Sequence, residues 1–485
     1  MPTAILWFRQ DLRLADNPAL CEAAAANDRL IPLYLYSAEE GVPWALGSAS
    51  RWWLHHSLNA LDETLKDFGS RLILRRGPSL DTLRGLIAET GASRVYWNRL
   101  YEPASMVRDS AIQSRLREQG IAVETFNSAL LNEPWTIKRE ANQPYRVFTP
   151  YWKAVQKFGL NQLPLPAPTS LPPLPPAIWG LPLDSLPLLP EISWDQGLRG
   201  CWNVGTTAAE AALQTFLDDA LSGYADNRDR PDLPGTSRLS PYLHFGEISP
   251  RQIVNAVTLH TASTSAAGII QHAEAFSREL VWREFAHQLL YHFPHTADRP
   301  LDQRFERFAW ARDYGDRLKA WQQGQTGYPL VDAGMRELWH TGWMHNRVRM
   351  VAASFLTKNL LIPWEEGARW FWDTLVDADL ANNTLGWQWT AGCGADAAPY
   401  FRVFNPVLQG ERFDPNGVYI RRWLPELAAL PTAFIYKPWT APEDVLEAAG
   451  VHLGVNYPRP RVDLSQSRER ALATFAELKS GTEAR

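Results

Sequence analysis

Short apolar runs alternate with helical periodicity over residues 1–130. The runs fall at Ala4–Phe8, Leu30–Tyr36, Leu72–Leu74, Val95–Trp97 and Ala122–Phe126. Each is too short for a helix and suits a buried strand. Ser50–Phe68 and Met106–Glu118 carry the spacing of amphipathic helices. This alternation predicts an α/β fold, a doubly wound parallel sheet of Rossmann-like type. Ten of the 36 prolines then lie in Pro164–Pro190. Proline fixes φ and lacks an N–H, so neither a helix nor a central strand runs through Leu163–Pro190. From Trp202 onward helical patterns dominate, the last over Gln466–Lys479. The expected division is an α/β domain over 1–130, a proline-rich linker over 131–201 and a large all-helical domain over 202–485.

Composition narrows the class. At 485 residues the chain exceeds one compact core. Its 45% hydrophobic and 21% charged content is that of a globular protein. No apolar stretch is long enough to span a bilayer, and the opening MPTAILWFRQDLRL reads as a first strand and not as a signal peptide. Cys21, Cys201 and Cys393 are far apart and form no CxxC pair, which suits a reducing cytoplasm. The net charge of −5 argues against a nucleic-acid coat but leaves room for a local basic groove.

The chemistry concentrates in the second half. Thr341–Pro406 packs Trp, Arg, Asn and Asp densely, in a chain with 22 Trp. GTSRLSP at Gly235–Pro241 offers a helix start, with Ser240 as cap and Pro241 as first helical residue. It reads either as a plain capped loop or as an anion site, with Tyr224 and Arg228 upstream. Glu279, Trp282 and Arg283 share one helical face, as a surface pair or as a platform for a planar heterocycle. Trp343, Asn346, Arg347 and Met350, with Arg349 beside them, fit one helical face as a cavity wall or an interdomain face. Asp377 and Asp379 open like a calcium loop, but Ala381, Asn382 and Gln388 stand where ligands and glycine are required, so calcium is excluded. An Arg such as Arg349 would partner a buried Asp. Trp387 and Trp389, two residues apart, point to different sides. There is no GxGxxG after the first strand, no P-loop, no GxSxG and no zinc spacing of histidines.

These segments resemble the DNA photolyase and cryptochrome family over nearly the whole chain. WFRQDLRLADN, GTSRLSPYLHFG, WREF, TGYPLVDAGMREL, TGWMHNRVRM, DADLANN, GWQW and AAPYFRVFNP occur in family order. SRWWLHHSL and ANNTLGWQW are similar to the class III branch of cyclobutane pyrimidine dimer photolyases, the branch nearest plant cryptochromes. The resemblance implies non-covalent FAD in the helical domain. Tyr224, Thr236, Ser237, Arg238, Leu239 and Ser240 would line its phosphates and ribityl chain, and Arg283 would reach the phosphates. Arg349 and Asp377 would pair beside the isoalloxazine, Asp379 would meet its polar edge, and Asn383 would face the redox-active nitrogen. Asn346 would close the pocket.

The resemblance also implies the reaction. Excited, fully reduced FAD donates an electron to a dimer flipped out of UV-damaged DNA, the cyclobutane ring splits and the electron returns. Glu279 would bond the pyrimidine edge, Trp282 and Trp389 would stack on the bases, and Met350 would line the pocket beside Asn346. Arg228, Arg347 and Arg402 would hold phosphates. Trp387, Trp364 and Trp310 would relay electrons to oxidised FAD. Glu102, in YWNRLYEP, matches a carboxylate that holds methenyltetrahydrofolate, and Gln10 stands where users of a deazaflavin antenna carry Arg, so the folate is the expected antenna and a deazaflavin the alternative. Asn383, where plant cryptochromes carry Asp, and a chain that stops soon after its last helical pattern favour repair over signalling. A (6-4) photolyase is disfavoured because no histidine follows His345 in Asn346–Met350. A DASH-type cryptochrome is disfavoured by Trp389, where that branch carries Tyr. A light-independent transferase using the first domain would leave the Trp-rich half unexplained. A cytoplasmic monomer with no membrane partner is expected.

Overall fold

The apolar runs pair side by side because a buried strand must satisfy its backbone N–H and C=O groups with neighbouring strands. The computed structural model describes residues 2–160, 163–397 and 401–483. Strands β1 (Thr3–Phe8), β2 (Arg29–Tyr36), β3 (Ile73–Arg76), β4 (Arg94–Asn98) and β5 (Ala122–Phe126) form one parallel sheet in the order β3-β2-β1-β4-β5. Every residue of β1 is buried, which explains its unbroken apolar run. Helices α1 (Pro18–Ala26), α2 (Ser48–Asp67), α3 (Ser79–Thr90) and α4 (Pro103–Glu118) connect successive strands. The expected α/β fold is present. α1 starts where Asn17 accepts from the Leu20 amide and Pro18 takes the first turn.

Strand order reverses at β1 and β4, the position where open sheets usually form a ligand crevice. Here the chain's own polar groups occupy that position. Arg9 pairs with Asp109 at 2.6 Å and donates to the Asn98 carbonyl, while the Asn98 amide donates to Asp11 at 2.5 Å. A second buried cluster follows. Arg251 binds both oxygens of Asp16 at 3.2 and 2.9 Å, and Arg13 donates to the carbonyls of Asp16, Ser128 and Gly246. Gly246 has φ +68°, and a Cβ there would meet the Gln10 carbonyl oxygen at 2.2 Å, so only glycine permits this approach. The motif WFRQDLRLADN is thus a structural clamp.

Within Leu163–Pro190 the longest helical segment is the single turn Leu183–Ser185. It is tied to the sheet, with Leu165 exchanging hydrogen bonds with Asp16, Leu30 donating to Pro173 and Leu181 donating to Leu74. The remaining helices that matter below are α5 (Phe148–Phe158), α6 (Ser240–Phe245), α7 (Ile269–His292), α8 (Pro329–Thr341), α9 (Asn346–Ser354), α10 (Trp364–Thr374), α11 (Leu380–Ala391) and α12 (Leu464–Glu483). By internal packing the chain resolves into one unit of Met1–Ser222, Ser237–Pro294 and Val376–Ala381, and another of Gly223–Thr236, His295–Leu375 and Asn382–Arg485. Among the described residues no helix is long and apolar enough to cross a membrane.

Candidate functional site

In the first unit the candidates gather around α6, α7 and the segment Val376–Ala381. α6 begins at Ser240, with Leu239 at the cap position and no side-chain cap bond. This corrects the sequence-based assignment of Ser240 as the cap: its hydroxyl donates to Asp377 at 2.6 Å, a distant partner that no local pattern reveals. Leu239 is buried, whereas Thr236 and Ser237 are half-buried. Arg238 is exposed, holds a left-handed backbone (φ 51°) and lies 4.4 Å over the Trp202 ring.

Asp379 is buried between two histidines, His287 at 3.5 Å and His244 at 3.9 Å. Burial alone would raise its pKa, but His287 and His244 outweigh burial and hold the carboxyl well below the usual range. Glu102, at the cap position of α4, faces the same cluster; burial first, and the Asp379 charge second, push its carboxyl up. Neither histidine was anticipated as a partner of Asp379, since they lie far from it in sequence.

α7 carries Glu279, Trp282 and Arg283. Arg283 donates to the Ala129 carbonyl at 2.8 Å, and its neighbour Glu284 accepts from the Leu131 and Asn132 amides. Trp282 is half-buried and lies face to face with Phe148, with ring centroids 3.6 Å apart and 6° between planes.

In the second unit Tyr224 is buried, and the Arg228 guanidinium lies 5.6 Å from its ring. α9 starts at Asn346, so Trp343 precedes the helix and does not share its face; the sequence reading of one stripe from Trp343 to Met350 is corrected here. The cause is His345. Burial pulls its imidazole down to about 4, and the neutral ring caps α9 by accepting from the Arg347 amide at 3.2 Å. Asn346 is exposed at the first helical position and Met350 is half-buried. Arg347 pairs with Asp229 at 2.6 Å. Arg349 donates to the Met344 carbonyl at 2.7 Å.

α11 carries Asn383, Trp387 and Trp389. The Asn383 amide nitrogen donates to the Ala368 carbonyl of α10 at 3.1 Å, which turns its carbonyl oxygen elsewhere as an acceptor. Trp387 is 2% exposed and is edged by Phe371 and Trp321 at 5.0 and 6.1 Å. Trp389 is half-buried, with Arg402 5.7 Å from its ring. Gln388 locks this helix by accepting from the Leu301 amide and donating to the Thr296 and Arg299 carbonyls. Trp364 opens α10 and is buried; Trp310 is half-buried, and its neighbour Ala311 donates to Leu361, three residues before Trp364. Lys358, missed by the sequence reading, is 1% exposed and donates to the Ala391 carbonyl at the end of α11. Burial pulls its ammonium well below the ordinary lysine value. It lines one cleft with Trp389, Arg402 and Phe404.

Two family models match: "DNA photolyase" over residues 4–172 and "FAD binding domain of DNA photolyase" over residues 276–477. The chain is 47% identical over 484 residues to a deoxyribodipyrimidine photo-lyase of Agrobacterium fabrum, covering 99% of this chain and 98% of that one. It is 43% identical to cryptochrome-2 of Arabidopsis thaliana, covering 96% of this chain and 77% of that one. Among solved structures, a bacterial class III photolyase from Agrobacterium tumefaciens matches with a TM-score of 0.94 at 46% identity, covering 99% and 98% of the two chains. With both halves of its sequence and its whole length matched in this way, the chain belongs to the DNA photolyase and cryptochrome family.

Proposed function

We propose that this protein is a deoxyribodipyrimidine photo-lyase, which repairs cyclobutane pyrimidine dimers in DNA by light-driven electron transfer. The observation that carries the reading is α11: it bears a fixed asparagine, a buried tryptophan and a half-buried tryptophan beside an arginine. That order suits a helix with a flavin on one side and damaged DNA on the other.

The residues fit FAD. In this proposal Arg238 and Arg283 supply cations, Thr236, Ser237 and Ser240 supply hydroxyls, and Tyr224 and Leu239 supply a ring and an apolar contact for a pyrophosphate and a polyol. Ser240 holds Asp377, and Arg349, Asn346 and Asp379 complete the set proposed around the ring system. Once bound, FAD supplies the excited electron that opens the cyclobutane. Asn383 presents a neutral acceptor to a reduced ring N–H, where a carboxylate would repel an anionic reduced ring. Trp387, Trp364 and Trp310 are proposed to carry electrons inward from the surface.

On the substrate side, Trp282 and Trp389 offer flat faces to flipped bases and Glu279 an acceptor for a pyrimidine edge. Flipping is general among enzymes that act on a base, photolyases included. Met350 and Asn346 shape the pocket wall. Arg228, Arg347 and Arg402 hold phosphates, so binding falls steeply with salt. Methenyltetrahydrofolate near Glu102 is the proposed antenna and a deazaflavin the alternative. We extend the proposal to a cytoplasmic monomer with an antenna domain over 1–130, a linker over 131–201 and a catalytic domain over 202–485.

The likeness to cryptochrome-2 favours a second reading, a blue-light receptor without repair. One assay separates the two. Reduced, FAD-loaded protein is illuminated with dimer-containing DNA and dimer loss is measured. Light-dependent loss supports repair; no loss from protein with FAD bound favours signalling.

A further inference from the structure

We infer that Phe148 is a positioning residue that fixes the indole plane of Trp282 for damaged DNA. The inference rests on the reading that Trp282 stacks against the flipped dimer, and it adds a residue that no motif flagged. Phe148 is the first residue of α5 and is 1% exposed. Its ring covers one face of Trp282 at 3.6 Å and 6°. Phe285, three residues after Trp282 on α7, sets its edge against both rings, 5.8 Å from each at 73° and 77°. Tyr151, one turn along α5, packs on Phe285 at 5.3 Å. Aromatic pairs left to themselves prefer offset or edge-to-face geometry. A near-parallel stack this close is therefore imposed by its surroundings, and two elements hold it.

Trp282 turns about only two side-chain bonds. With one face against a buried ring and an edge against another, rotation about either bond drives the indole into Phe148 or Phe285. The half-buried remainder of the indole is thus presented in one orientation before any ligand arrives. A base stacked on an aromatic gains affinity, and pre-orientation protects that gain by removing the cost of ordering the side chain on binding. The surface that recognises the lesion is, in this reading, a two-ring stack with Trp282 outward and Phe148 as its support.

The test measures dark binding of FAD-loaded protein to an oligonucleotide with a single thymine dimer and to its undamaged counterpart. Phe148→Ala and Phe148→Leu are expected to weaken dimer binding about tenfold, the scale of one base stack, and to leave undamaged binding and bound FAD unchanged. Phe148→Tyr, which keeps the flat face, is expected to bind as wild type. Trp282→Ala is expected to lose dimer binding, and adding Phe148→Ala to it should cost nothing more, because the two act as a unit. Leucine keeps the volume, so Phe148→Leu decides the matter should the alanine variant not fold. Normal dimer binding by Phe148→Leu alongside loss in Trp282→Ala overturns this inference and leaves the reading of Trp282 standing. Normal dimer binding by Trp282→Ala removes that reading and the inference with it.

Discussion

The indole of Trp387 occupies the space where a side chain on residue 367 would begin. A Cβ built on Gly367 would meet the Trp387 Cη2 at 2.0 Å and Cζ3 at 2.4 Å. α10 and α11 therefore cross at this glycine, next to Ala368, whose carbonyl holds Asn383. The glycine sets the depth at which Trp387 lies, and with it the spacing of the proposed relay.

Gly367→Ala should push Trp387 out of place. In an open helix this change would gain about 0.5–1 kcal/mol from chain entropy. Overpacking costs about 1–3 kcal/mol, and a contact as short as 2.0 Å belongs at the upper end. The expected result is a net loss of about 2 kcal/mol by urea titration, with slower photoreduction of oxidised FAD. Unchanged stability and an unchanged photoreduction rate would show that the helices part without consequence.

Trp310→Phe isolates the outer end of the relay. Phenylalanine fills a similar space but is much harder to oxidise than tryptophan. Trp310 is half-buried and packs on Phe308 at 4.5 Å, so the ring is replaceable with little loss of stability. Photoreduction in vitro should slow at least about tenfold, about 1.4 kcal/mol of barrier, while repair by protein reduced chemically beforehand stays at the wild-type rate. Equal photoreduction in variant and wild type counts against Trp310 as a donor.

The sheet was legible because its central strands are buried on both faces, which leaves unbroken apolar runs such as Ala4–Phe8 and Leu30–Tyr36. α2 and α4 were recognised but begin earlier, at Ser48 and Pro103. Site residues that lie within one motif were named by pattern and resemblance, and their local placement followed helix geometry. Long-range partners were not legible. The Ser240 hydroxyl meets Asp377, 137 positions away, so its cap role failed. His345 caps α9 as a neutral ring only because it is buried, so Trp343 dropped out of the stripe. Phe148 and Lys358 carry no motif; the stack on Trp282 distinguishes the first, and the burial of a charged side chain the second.

Asp16 gives a structural counterpart to the site variants. It is fully buried, with φ 51°, and its carboxylate faces Arg251 through two bonds while also accepting from the Leu165 amide. Removing one partner of a buried pair leaves an uncompensated charge, at about 3–5 kcal/mol. Asp16→Ala should lose that much by denaturant unfolding. Asp16→Asn leaves the same guanidinium unbalanced but keeps an acceptor and tolerates the left-handed backbone, so it should lose somewhat less. Equal losses in the two variants would mean that the charge of Asp16 contributes most of its effect.

Glu247 predicts a pH dependence whose sign is fixed by burial. It is 0% exposed and accepts from the Trp53 indole N–H at 3.2 Å. Burial raises its carboxyl from 4.5 to about 7. The folded state thus binds a proton that the unfolded state has released between those two values. Its contribution is fully present below pH 4.5 and is lost as pH rises through 7. The whole difference is about 3 kcal/mol. Glu247→Gln keeps an acceptor for Trp53 and cannot ionise, so it should remove this slope. Denaturant unfolding of the two proteins should give similar stabilities near the acid end of the window. Above pH 8 the variant should be the more stable by about 2–3 kcal/mol. Parallel stability curves for the two proteins across this range would rule out Glu247 as the titrating group.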